Sequence, residues 1–135
     1  MNIQKIKSYI NRPEYIFRPV QIFKKIFNLQ DNSNNLFKEA HLPWNVKIKI
    51  TTDTNDVVSK AISKYGIYDL SLTEALWRLT SPGETAIDIG ANIGYMTSIM
   101  AMKVGQKGKV LCFEPNPEVY KELSDNIEFW EQMTI

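Results

Sequence analysis

The sequence contains one cysteine, Cys112, and one histidine, His41. A single cysteine rules out an internal disulfide, so a reducing compartment suits the chain best. A single histidine without partners is no metal site, and His41 is expected in a loop. No run reaches the roughly 18–20 apolar residues that cross a bilayer. The N-terminus also lacks an uninterrupted apolar segment followed by a small-residue cleavage site. Together these absences predict a cytoplasmic protein. Charge of one sign is missing as well: 16 basic and 15 acidic side chains leave a formal net charge of +1. Residues 1–30 are locally basic, with Lys5, Lys7, Arg12, Arg18, Lys24 and Lys25 against Glu14. That excess is too thin for a nucleic-acid face, so no nucleic acid is expected as a partner.

The remaining features are those of one globular domain, 44% hydrophobic and 23% charged over 135 residues. This is short for a doubly wound enzyme, which needs six or seven strands with crossover helices. Residues 1–35 read as a basic helical arm and polar linker. Ile3, Ile6 and Ile10, then Val20, Phe23, Ile26 and Phe27, recur at helical spacing, and Pro13 and Pro19 interrupt them. Residues 36–84 read as a strand and helices that precede the core. Val46, Ile48 and Ile50 alternate with Lys47 and Lys49 as a half-buried strand does. A short helix over 56–64 ends at Gly66, and Ser71-Leu-Thr-Glu74 has the form of a capping box opening the next helix. Ser81-Pro82-Gly83-Glu84 is a turn.

Residues 85–135 read strand, helix, strand, helix. Thr85–Ile89 and Val110–Glu114 are short and nearly all apolar, the pattern of parallel strands covered on both faces. Tyr95–Val104 is a helix closed by Lys103 and Gly105. Asn116 caps the last helix, with Pro117 at its first position. Val119, Leu123, Ile127 and Trp130 form its buried stripe. Trp44, Trp77 and Trp130 read as core or docking aromatics, and Cys112 as a packing residue whose thiol nothing nearby activates.

The loop after the first of these strands is where such sheets bind ligands. Gly90 and Gly94 let the backbone turn sharply and leave its amides bare, and Asn92 between them tolerates positive φ. The following helix offers its positive N-terminal end. Glu114, at the end of the second strand, suits the two hydroxyls of a ribose. Asp88 separates the candidate cofactors. A pyrophosphate beside it would meet a fixed negative charge, whereas a sulfonium and an ammonium would be attracted. The dinucleotide fingerprint G-x-G-x-x-G would need glycine at 90, 92 and 95, and the chain has Gly90, Asn92 and Tyr95. NAD is disfavoured.

Asp88-Ile-Gly90-Ala-Asn92-Ile-Gly94-Tyr95 followed by Phe113-Glu114-Pro115-Asn116-Pro117 resembles the FkbM family of S-adenosylmethionine (SAM)-dependent methyltransferases. The likeness runs upstream through Gly66-Ile-Tyr68-Asp69 and Glu74-Ala-Leu-Trp77. It implies an α/β, Rossmann-like class I methyltransferase fold, here truncated after its second βα unit. It also implies that Asp88, Gly90, Ala91, Asn92 and Gly94 hold the methionine end of SAM, Glu114 the ribose, and Pro115 the adenine. In that family the acceptor is commonly a hydroxyl on a sugar, glycan or natural product, which makes O-methylation of such a small molecule or glycan the expected activity. No catalytic base is identifiable. Other readings stay open: a non-catalytic fragment or nucleotide-binding module, a chain that needs a complementing polypeptide, or a peripheral membrane or partner-docking protein acting through its basic arm.

Overall fold

The computed structural model describes residues 39–51 and 56–135, so the expectations for the arm, residues 1–35, lie outside the described residues. The chain divides between Asn35 and Leu36, and everything below concerns the second unit. Its elements, in order, are β1 (Glu39–His41), β2 (Lys47–Lys49), α1 (Val57–Tyr65), α2 (Leu70–Leu79), β3 (Thr85–Ile89), α3 (Tyr95–Val104), β4 (Lys109–Phe113) and α4 (Pro117–Phe129).

Alternation in the sequence becomes alternation in burial. Val46, Ile48 and Ile50 are buried while Lys47 and Lys49 are exposed. His41 departs from expectation. It belongs to β1, which pairs antiparallel with β2 in the register Glu39↔Lys49, Ala40↔Ile48, His41↔Lys47. The reversal between them uses Asn45 at φ 63, with Leu42 donating its N–H to Val46 O at 2.7 Å. This hairpin forms its own sheet and leaves the parallel pair unextended.

Helix boundaries follow local chemistry. Asp56 caps α1 through Val58 N and Ser59 N, and Gly66, left-handed at φ 67, ends it. For α2 the expected capping box is displaced. Asp69, not Ser71, is the N-cap, accepting from Leu72 N at 2.9 Å, and Ser71 lies inside the helix. Asp is as good a cap as Ser and stands two residues earlier, so it wins the competition. Glu74, freed from that role, pairs with Arg78 one turn on.

β3 and β4 pair in parallel, with Asp88 opposite Cys112 and Ile89 opposite Phe113. The second strand ends at Phe113, so Glu114 begins the loop instead of closing the strand. Their burial corrects a second expectation. Ala86 and Val110 pack with Met100, Ala101 and Val104 of α3, but Ile87, Ile89, Leu111 and Phe113 point the other way and are 58%, 84%, 37% and 56% exposed. The strands are apolar on both faces because parallel sheets normally carry a helix layer on each side. Among the described residues only the α3 side is layered, and α4 packs chiefly against β2. The outer edge of β4 is not bare, since Val110 N donates to Thr134 O at 2.9 Å.

An apolar face of this kind drives association. The 135-residue chain is therefore expected to self-associate in solution, and Ile89→Lys with Phe113→Lys to shift it towards monomer without loss of secondary structure. Analytical ultracentrifugation of the two proteins checks this; identical sedimentation would show that the face is not the cause.

Candidate functional site

The site forms where β3 hands over to α3. Gly90 (φ 78), Asn92 (φ 51) and Gly94 (φ 93) all adopt the left-handed region, so the loop coils tightly in three steps. Asn92 thus takes the conformation expected of it, one that asparagine tolerates better than most side chains. The amides of Gly90 and Ala91 both donate to Phe113 O, at 2.8 and 3.0 Å, which ties the loop to the end of β4. Ala91 is buried by that closure and contributes packing, not an exposed group. A Cβ built on Gly90 would meet nothing within 4 Å, so this glycine borders open space that a side chain would fill. Gly94 differs. A Cβ there would fall 2.9 Å from both Leu123 Cδ1 and Trp130 Cη2, so its role is close approach to α4. Gly94 is also the N-cap of α3 and supplies no side-chain cap, leaving that end of the helix to its backbone alone.

Two carboxylates frame the loop. Glu114 accepts from Asn92 N through one oxygen and from Asn116 N through the other, each at 2.9 Å. It therefore clamps the glycine loop to the loop after β4, while each oxygen keeps a second acceptor direction. Asp88 is half-buried on the α3 side of the sheet. One of its oxygens accepts from Thr97 Oγ1 at 2.6 Å, and its other oxygen has no hydrogen-bond partner among the described residues. Cys112, opposite Asp88 in the strand register, has its thiol pushed above the usual range, first by burial and then by the Asp88 charge. A thiol held protonated is a packing group, as its sequence context predicts. Asn116 caps α4 through Glu118 N and Val119 N, and Pro115 is exposed beside it.

The structure thus brings Asp88, Gly90, Asn92, Gly94 and Glu114 around one loop. Two supporting residues were missed by sequence reasoning. Thr97 lies in a largely apolar helix, beside Ser98, and is fully buried. Asn126, also fully buried, donates through Nδ2 to Ile93 O and Lys49 O and accepts from Lys49 N through Oδ1. The available signal was a polar residue three positions after Leu123, inside the apolar stripe of α4.

The donor set fits SAM. A half-buried carboxylate with one oxygen unpartnered among the described residues suits a cationic group, the space at Gly90 admits a ligand against backbone, and Glu114 retains acceptor capacity for hydroxyls. Asn92 Oδ1 is a buried acceptor without a partner among the described residues.

Comparison with known proteins places the chain. The family model for protein-L-isoaspartate(D-aspartate) O-methyltransferase matches residues 29–135. The chain is similar to a protein-L-isoaspartate O-methyltransferase from Triticum aestivum, with 36% identity over 55 residues that make up 41% of this chain and 24% of the relative. It thus spans about a quarter of that relative's length. A solved protein-L-isoaspartate O-methyltransferase is similar over 47% of this chain and 21% of its own, at 24% identity and a TM-score of 0.44. The match replaces the FkbM assignment suggested by the loop and the Phe-Glu-Pro-Asn-Pro segment, while keeping the broader class of SAM-dependent methyltransferases. Short motifs of this kind can recur on one fold with different acceptor specificities, so they do not by themselves fix the family. The match over residues 29–135 shows that the chain belongs to the protein-L-isoaspartate(D-aspartate) O-methyltransferase family.

Proposed function

We propose that this chain binds SAM at the β3–α3 loop and serves methyl transfer to a protein carboxylate of the isoaspartyl type. The observation that carries the binding half is Asp88, a carboxylate with one oxygen unpartnered among the described residues, two positions before the open space at Gly90. Asp88 and the loop from Gly90 to Gly94 receive the methionine end, Glu114 the ribose, and Pro115 flanks the adenine. Family membership supports the acceptor. A sugar, glycan or natural-product hydroxyl finds no support there.

The acceptor class also decides whether a base is needed. SAM supplies a methyl group already activated by its sulfonium. A hydroxyl acceptor must lose a proton to attack it. An isoaspartyl residue offers a free carboxylate instead, with a pKa near ~4, so it is ionised at neutral pH and needs no base. What the protein must then provide is alignment and exclusion of water.

Isothermal titration of the chain with SAM, S-adenosylhomocysteine and NAD is expected to give heat with the first two and none with NAD. Binding of NAD alone would overturn the cofactor assignment. Transfer of labelled methyl from SAM to an isoaspartyl peptide, and not to its aspartyl counterpart, tests the acceptor. Transfer to a sugar hydroxyl instead would refute it.

Glu114→Ala should weaken SAM by about 1.5–3 kcal/mol, roughly ten- to two-hundredfold, the usual worth of hydrogen bonds to a charged group. It also releases the amides of Asn92 and Asn116, so thermal melts should accompany the titration. Unchanged affinity in a folded protein would show that the ribose lies elsewhere.

A further inference from the structure

We infer that Thr97 is a positioning residue for the methyl donor: it holds the Asp88 carboxylate in one rotation, so that the remaining oxygen faces the ligand. The inference rests on the reading that Asp88 receives the methionine end of SAM.

Thr97 is the third residue of α3 and is fully buried, one turn above the glycine loop. A threonine inside a helix ordinarily turns its hydroxyl back to the carbonyl four residues earlier. For Thr97 that carbonyl is Ile93 O, which is engaged by Asn126 Nδ2 at 2.9 Å. The hydroxyl instead crosses from helix to strand and donates to Asp88 Oδ2 at 2.6 Å, a short bond of the charge-assisted kind. As a β-branched residue Thr97 has few χ1 states in a helix, which narrows the directions open to its hydroxyl. Without this bond the Asp88 side chain would be free to turn about χ2, a broad torsion with no staggered well to hold it. Its other neighbour across the strands, Cys112, carries a protonated thiol, a weak donor in place of the hydroxyl. Thr97 therefore occupies one carboxylate oxygen and leaves the second, unpartnered among the described residues, for the ligand's ammonium.

The test is titration calorimetry on the full chain with SAM and with 5′-methylthioadenosine, which keeps the adenosine and sulfur but lacks the amino-acid end. Thr97→Val should weaken SAM ~10-fold and leave methylthioadenosine within about twofold. Thr97→Ser, which restores the hydroxyl, should recover most of the SAM affinity. Thr97→Cys, similar in size and a far weaker donor, replaces the valine variant if that protein does not fold. Unchanged SAM affinity in Thr97→Val, or equal loss of both ligands, overturns the inference and leaves Thr97 a packing residue. Asp88→Asn separates the two levels. If wild type binds no SAM, the methyl-donor reading itself is wrong; if Asp88→Asn binds it as wild type does, Asp88 does not receive its methionine end.

Discussion

Gly90→Ala and Gly94→Ala should fail in opposite ways although the residues are four apart in one loop. Both glycines are left-handed, at φ 78 and φ 93, so alanine at either carries a backbone cost of about 1–2 kcal/mol. Beyond that cost they diverge. At Gly90 the new methyl group points into open space, so the fold survives. That space is where the ligand must lie against the backbone, and SAM affinity should fall by about 100-fold or more, as a methyl in a close contact displaces the ligand. At Gly94 the methyl would overlap Leu123 Cδ1 and Trp130 Cη2, both at 2.9 Å. Leu123 and Trp130 are buried, and overpacking there adds about 1–3 kcal/mol, for a total near 2–5 kcal/mol. Denaturant unfolding and SAM titration of both variants settle the matter. A Gly90→Ala protein that binds SAM normally, or a Gly94→Ala protein as stable as wild type, would show that the loop does not work as described.

The sequence announces the βαβα unit because each of its boundaries has a local cause. Asn116 and Pro117 start α4, Gly105 stops α3, and the apolar pattern of β3 and β4 is too short to be helical. The loop was legible for the same reason: positive φ and small size are properties of Gly90, Asn92 and Gly94 themselves. Exposure of Ile87 and Phe113 was not legible, because an apolar residue records the face it is suited to, not whether a described partner covers it. The start of α2 is ambiguous in the sequence because Asp69 and Ser71 are both good caps, and the fold uses the earlier of the two. Acceptor specificity was unreadable from the motifs. The Asp88 and Glu114 pattern reports a cofactor, and the FkbM resemblance borrowed its acceptor from fold-level likeness.

Asn126→Leu should be the most destabilising single change away from the glycine loop. Asn126 lies at 0% exposure on α4, and its amide makes three bonds: to Lys49 N at 2.7 Å, Lys49 O at 3.1 Å and Ile93 O at 2.9 Å. Leucine has nearly the same size, so packing is largely conserved and the effect isolates the polar groups. Three backbone groups would lose their partner, two of them only part-buried, at about 1–2 kcal/mol each, so a loss of about 3–6 kcal/mol is expected. The neighbouring bond from Trp130 Nε1 to Lys47 O, at 2.6 Å, still fastens α4 to β2 and limits the damage. Asn126→Asp should be worse than its near-identical shape suggests, because a carboxylate cannot donate and would face two carbonyl oxygens. The change also reaches the site. Ile93 is the residue between Asn92 and Gly94, and Asn126 is what anchors its carbonyl. A partly folded Asn126→Leu protein should therefore bind SAM more weakly even under conditions where its helices persist. Circular dichroism melts with parallel SAM titration measure both effects. If Asn126→Leu lost less than about 1 kcal/mol, the value of a single ordinary hydrogen bond, the three contacts could not be holding β2, the glycine loop and α4 together.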